Sequence, residues 1–231
     1  MKRIRYNIIT FPGSNCDHDS YYIAKIRNNQ VNFIWHKEHK LKNPDIVILP
    51  GGFSYGDYLR SGALAKFSPI ISEVIEFAEK GGLVLGICNG FQILTETGLL
   101  PGTLMMNDSL KFICKHQYIK SINNNLPFSN KLQSNQVLDI PIAHKDGNYF
   151  ADEATLQKLQ KNNQIVFKYC DRDGKITSDS NPNGSLHNIA GICNQKGNVL
   201  GMMPHPERAA ENIVVSQDGK SIFESIEGFF H

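Results

Sequence analysis

Gly86-Ile87-Cys88-Asn89-Gly90 has the form G-x-C-x-G and stands between a continuous apolar run and a helical pattern. This is the thiol counterpart of a nucleophile elbow, a sharp strand-to-helix turn that lifts its central residue out of the sheet. The bend strains the backbone at the nucleophile, so only small residues fit two positions away on either side. It also sets the sulfur at a helix N-terminus, where unpaired N–H groups and the helix dipole favour thiolate over thiol. The backbone N–H of Asn89 is then available to an oxyanion forming on an attacked carbonyl.

A free cysteine is more often an inert, packed thiol than a nucleophile, and the chain carries its own control. Gly191-Ile192-Cys193-Asn194 repeats the first four residues of the elbow, but Gln195 takes the fifth place and a hairpin signal follows. Cys193 therefore reads as structural. Cys114 and Cys170 lie in strand-like runs and read the same way, while Cys16 follows the first turn, accessible but outside any elbow.

A cysteine nucleophile needs a base, and the base needs an orienting group. Of the eight histidines, two open a His-x-Glu pair, His36-Lys37-Glu38 and His205-Pro206-Glu207. Pro204 and Pro206 hold the residues before them extended, so His205 and Glu207 project to one side. The pair follows the apolar run 199–203 and so emerges at a strand end, where open α/β sheets bind ligands. The His36 pair lies in a polar, lysine-rich stretch and reads as solvated surface. Leu49-Pro50-Gly51-Gly52-Phe53 puts a glycine pair at another strand end, either a plain tight turn or a second backbone donor. Gly51 and Gly56 have the separation of a phosphate loop, but Asp57-Tyr58 stand where Lys-Ser/Thr is required, which argues against ATP there.

The elements that must position these residues alternate as a parallel α/β sheet requires. Strands are expected at residues 4–10, 31–35, 45–49 and 83–87, the last two apolar throughout as in strands buried on both faces. Helices are expected at about 19–27, at 68–80 with Ser68 as N-cap and Pro69 in the first turn, and at 91–97. The second half predicts strands at 112–119, 137–143, 165–169, 188–193 and 198–203, with Asn194-Gln195-Lys196-Gly197 as a hairpin turn. Asn123-Asn124-Asn125 and the polar stretch 178–185 read as exposed loops. No repeat is visible.

With 231 residues and no Pro/Ser/Gly-rich linker, one domain over 1–231 is expected. Apolar residues at 41% and charged residues at 20% are ordinary for a chain that buries its own core. A net charge of +2 is too small for a nucleic-acid surface. The charged start is followed by too short an apolar run for a signal peptide, and nothing approaches the roughly 20 apolar residues of a membrane span. Five cysteines without a C-x-x-C pair imply reduced thiols, no metal site and a cytoplasmic chain.

The set Gly86 to Gln92 with Pro204-His205-Pro206-Glu207 resembles the class I (triad) glutamine amidotransferases. Phe11 to Asp17, Pro50 to Asp57, Pro141 to His144, Asn181 to Ser185 and Pro204 to Ala209 narrow the likeness to the glutaminase subunits of phosphoribosylformylglycinamidine synthase. Lys145-Asp146 departs locally from that pattern, where a small residue and an acid are expected. The resemblance implies a single-domain three-layer α/β/α sandwich with a flavodoxin-like, mostly parallel central sheet. It implies a glutaminase in which Cys88 forms a glutamyl thioester, His205 moves the protons and Glu207 orients His205. Gly52 and Asn89 would donate to the oxyanion, Gln92 would contact L-glutamine, and a loop including His144 and Gly147 would close over it. The chain would carry no cofactor and pass ammonia to a large synthase subunit that uses ATP and magnesium, beside a small accessory subunit. The rival readings are a glutaminase serving another synthesis and a cysteine hydrolase or peptidase on the same fold.

Overall fold

The computed structural model describes residues 3–57, 61–211 and 213–231, which leaves Tyr58 of the phosphate-loop comparison outside. Strands β1 (Arg5–Thr10), β2 (Gln30–Trp35), β3 (Ile46–Leu49) and β4 (Leu83–Ile87) fall where the apolar runs put them. β3 and β4 are buried at every residue, which their unbroken apolar sequences require. The second half adds β5 (Thr103–Met105), β6 (Ile113–Ser121), β7 (Val137–His144), β8 (Asn148–Phe150), β9 (Ile165–Tyr169), β10 (Ile189–Cys193) and β11 (Val199–Met202).

Nine strands form one sheet in the order β2-β1-β3-β4-β11-β10-β9-β6-β7. The five strands from β2 to β11 are parallel neighbours. Taken in chain order they run 2-1-3-4-5, the flavodoxin-like arrangement, whose switch point lies between β1 and β3. Beyond β11 the sheet continues with antiparallel partners, starting with the 194–197 hairpin that returns the chain from β10. β5 and β8 form a separate two-stranded ribbon.

The helices are α1 (Cys16–Ile26), α2 (Ser61–Ala65), α3 (Ile70–Glu79), α4 (Asn89–Glu96), α5 (Glu153–Lys161) and α6 (Lys220–Phe229). α1 packs on β1 and β2, α3 on β4, and α4 across β3, β4 and β11. Right-handed crossovers that leave β1 and β3 in opposite directions cover both faces of the sheet.

Several local expectations shift. α1 begins at Cys16, three residues before Asp19, because its first turn buries Cys16, Asp17 and Ser20 and not an apolar stripe. Pro69, not Ser68, precedes α3. The Ser68 hydroxyl is 2.9 Å from His36 Nδ1 and 3.0 Å from the Tyr55 hydroxyl instead of capping the helix. His36 is accordingly buried, not solvated. The 178–185 stretch is not an exposed loop throughout, since Asn183 and Ser185 are 1% and 2% exposed. Cys114 is exposed on β6, while Cys16 is buried where accessibility was expected. Helices α2, α5 and α6 were not expected; α5 buries Leu156 and Leu159 behind an Asp152 cap, and α6 buries Ile222, Phe223, Ser225 and Ile226.

Candidate functional site

The C-terminal ends of β3, β4 and β11 converge on one spot, and the loop after β1 closes it from the side. At the end of β4 the chain turns through Cys88 with φ 52° and ψ −105° directly into α4. A non-glycine residue in this region stores about 1–3 kcal/mol of backbone strain, which the surroundings must hold. They do so at both sides: Cys88 N–H donates to Met202 O at 2.8 Å, and Cys88 O accepts from Gln92 N–H at 3.2 Å. The flanking glycines are sterically required. A Cβ on Gly90 would stand 1.9 Å from Leu49 O, and one on Gly86 would stand 2.7 Å from the Gly90 carbonyl.

After β11, Pro204 and Pro206 frame His205, whose N–H donates to Pro141 O of β7 at 2.8 Å. Its ring Nδ1 bonds Glu207 Oε1 at 2.7 Å, with both side chains sealed from solvent. The tautomer that donates from Nδ1 leaves Nε2 for chemistry, buried and with the sulfurs of Cys88 and Cys16 beside the ring. Gly51 separates this ring from the thiol. A methyl added there would stand 2.8 Å from His205 Cε1 and 2.9 Å from Cys88 Cβ, so the two side chains face one another across a gap that only glycine leaves open.

Burial by itself disfavours the His205 cation, but the Glu207 carboxylate and the sulfurs of Cys88 and Cys16 outweigh it and raise the pKa well above its ordinary value. These partners favour the protonated ring. Cys88 is only 4% exposed, and its Sγ lies 3.6 Å from Ala143 O. The thiol is shielded in this conformation.

Around the elbow a polar chain lines α4. Asn89 Nδ2 donates to Asp57 Oδ1 at 2.9 Å and to Gln92 Oε1 at 3.1 Å, and Gln92 Nε2 donates to Asp146 O at 2.7 Å. Gln92 therefore grips the 144–147 segment. Burial, opposed by the Asn89 hydrogen bond, raises the Asp57 pKa, and nearby Asp146 adds to the rise. His144 is turned inward: its Nδ1 lies 3.0 Å from Asn107 Oδ1, which also accepts from Gly147 N–H. Gly147 O accepts from Asn183 Nδ2 and Ser185 Oγ. A Cβ on Gly147 would stand 2.3 Å from His144 Nδ1, so glycine is needed there for the ring to fit. Burial, then the His205 cation, pushes the His144 pKa down to about 3, which keeps it neutral. Gly52 has φ 86° and its carbonyl accepts from Asn15 N–H, tying this turn to the loop before α1.

The sequence reading singled out Gly51 in a glycine pair but not as the spacer between thiol and imidazole, and it missed Asn107, the inward packing of Asn183 and Ser185, and the contact of Cys16 with His205. Their contacts have no local signal, although Cys16, Gly51, Asn183 and Ser185 all stood in blocks that carried the resemblance.

The chain belongs to the glutamine amidotransferases: the family described as the CobB/CobQ-like glutamine amidotransferase domain matches residues 3–227. It is 55% identical to the phosphoribosylformylglycinamidine synthase subunit PurQ of Koribacter versatilis, over 97% of this chain and 98% of that one. It is 54% identical to the PurQ subunit of Salinibacter ruber, over 96% and 95%. A chain in the solved PurLQS structure from Thermotoga maritima superposes with TM-score 0.88 at 41% identity, covering both chains fully. These identities over whole chains place the protein in the PurQ family. A further glutamine amidotransferase of Thermotoga maritima, 18% identical over 100% and 84% of the two chains with TM-score 0.56, shares the fold alone.

Proposed function

We propose that this chain is the glutaminase subunit of phosphoribosylformylglycinamidine synthase in purine biosynthesis, and that it works through Cys88, His205 and Glu207. The observation that carries the residue assignment is the strained Cys88 elbow facing an imidazole whose far nitrogen is held by a buried carboxylate. The raised His205 pKa supports a protonated imidazole as the proton carrier.

In this mechanism Cys88 Sγ attacks the carboxamide carbon of L-glutamine, and the N–H groups of Gly52 and Asn89 stabilise the oxyanion. The C–N bond breaks as His205 gives its proton to nitrogen, which releases ammonia and leaves a glutamyl thioester. Neutral His205 then takes a proton from water. The hydroxide adds to the thioester carbon, the C–S bond breaks, and glutamate leaves with the thiolate–imidazolium pair restored. Glu207 holds the ring and offsets its charge in both halves.

Gln92 contacts the substrate and, through Asp146 O, couples it to the loop that carries His144 and Gly147. The shielded thiol implies that this loop moves for glutamine to enter, and docking on the synthase subunit is the event that moves it. The synthase subunit takes the ammonia and supplies the ATP and magnesium chemistry, beside a small accessory subunit. This chain acts without a cofactor of its own. It is one domain over its whole length and works in the cytoplasm, consistent with five unpaired cysteines and with the lack, among the described residues, of a helix long and apolar enough to cross a membrane.

The test is product formation by the assembled synthase with glutamine or with ammonium as nitrogen source, for wild type and Cys88→Ser. Loss of the glutamine reaction with the ammonium reaction kept supports the assignment. Loss of both, or of neither, defeats it.

A further inference from the structure

Cys16 has no part in this mechanism, yet it lies beside the catalytic imidazole. Its sulfur, a ring nitrogen of His205 and a carboxylate oxygen of Glu207 lie within 4.8 Å of one another. The three residues are 1%, 1% and 5% exposed. Glu207 Oε1 already lies 2.7 Å from His205 Nδ1, and Glu207 Oε2 is buried without a hydrogen-bond partner. A buried polar atom without a partner is rare and marks a place where something else binds.

We propose that Cys16, His205 and Glu207 form an inhibitory site for a thiophilic divalent cation of the zinc class. The inhibitory role rests on the reading of His205 as the proton carrier; the binding itself does not.

One thiolate, one imidazole and one carboxylate are donors that zinc accepts in tetrahedral sites with a fourth, open position. Magnesium and calcium are poor fits, since both require mostly oxygen ligands. Two anionic donors balance the charge of a divalent ion, and the neighbouring Arg208 cation is engaged by Asp19 at 2.9 Å. Tetrahedral zinc places its donors about 3.3–3.8 Å apart, given bonds of about 2.0–2.3 Å. A cation at this cluster takes the place of the hydrogen bond between His205 Nδ1 and Glu207 Oε1.

Binding displaces the thiol proton of Cys16 and the ring proton of His205 to solvent. With the metal on it, the imidazole can neither protonate the leaving nitrogen nor activate water. The cation therefore stops the glutamine half-reaction and leaves the ammonia-using half, on another subunit, untouched.

The site is tested directly by titrating the full chain with cobalt(II) in a Cys114→Ser background, which removes the exposed thiol. A sulfur-to-cobalt charge-transfer band that saturates at one equivalent is expected. It persists in Cys88→Ala and disappears in Cys16→Ser and Cys16→Ala. A band that survives loss of Cys16, or one that needs Cys88, overturns the proposal. In the assembled synthase, zinc should inhibit the glutamine reaction and spare the ammonium reaction. In Cys16→Ser, with each variant normalised to its own metal-free rate, at least tenfold more zinc should be needed. Equal sensitivity in that variant overturns the inhibitory role. Failure of the glutaminase reading is visible separately, as a metal-free complex without the Cys88 dependence described above.

Discussion

The chain writes Gly-Ile-Cys-Asn twice and makes two different objects of it. At Cys88 the tetrapeptide ends a parallel strand, Gly90 follows, and the backbone turns through a positive φ into α4. At Cys193 it ends the antiparallel strand β10, Gln195 follows, and the chain enters a hairpin. Cys193 N–H donates to Gln164 O at 2.8 Å, and its carbonyl accepts from Gln164 Nε2 at 2.9 Å. Burial pushes its thiol pKa up to about 11, whereas Cys88 faces a cationic imidazole. Four identical residues carry no chemistry by themselves. The fifth residue and the direction of the next element decide whether the sulfur meets a partner or a packed wall.

The sharpest way to break this contrast is to remove each sulfur. Cys88→Ala should lower glutamine-dependent turnover about 10⁴-fold or more, while Cys193→Ala keeps it; steady-state rates with purified synthase read both. Comparable losses in the two variants would make both cysteines structural.

The fifth residue is the next target. Gly90→Ala drives a methyl into the Leu49 carbonyl and should cost roughly 3 kcal/mol or more by denaturant unfolding. The reverse change, Gln195→Gly on an exposed hairpin, should shift stability by less than about 0.5 kcal/mol. It should leave Cys193 unlabelled by a glutamine-mimicking chloroketone, because a glycine without a following helix does not make an elbow. Labelling of Cys193 in that variant would refute the requirement for context.

The two thiols also differ in what borders them. Only Cys88 adjoins the segment anchored by neutral His144, whose pKa is about 3 against an ordinary 6.5. A depressed histidine contributes stability that is fully present above pH 6.5 and is lost as pH falls toward 3. The expected loss between pH 7 and pH 4 is about 3 kcal/mol. It should be absent from the pH dependence of His144→Gln, and an unchanged acid limb would remove His144 from the account.

At the alkaline end the sign reverses. Cys193, raised from 9.0 to about 11, stabilises the fold below pH 9 and loses that contribution as pH rises through 11. The effect is about 2 kcal/mol and should vanish from the alkaline limb of Cys193→Ala melting curves.

Much of the site was legible because its signals are local. The elbow needs glycine at two fixed offsets from cysteine, and two prolines make His205 and Glu207 a rigid pair. The strands β1 to β4 were legible for the same reason, since burial on both faces writes unbroken apolar runs. What failed to show was contact between distant polar residues. Cys16 looked accessible because nothing in its own neighbourhood says that α1 packs against the turn holding His205. His36 looked solvated because its partners, Tyr55 and Ser68, are tens of residues away.

By itself the sequence marked out the Cys88 elbow, the His205–Glu207 pair and the parallel half of the sheet, since each depends on backbone geometry that a few neighbouring residues dictate. Tertiary structure alone decided that Gly51 leaves the gap between thiol and imidazole, that Asn107, Asn183 and Ser185 clamp the 144–147 segment, and that Cys16 joins His205. Those facts depend on which strand ends lie side by side. That arrangement comes from burying the whole sheet, and no short stretch of residues encodes it.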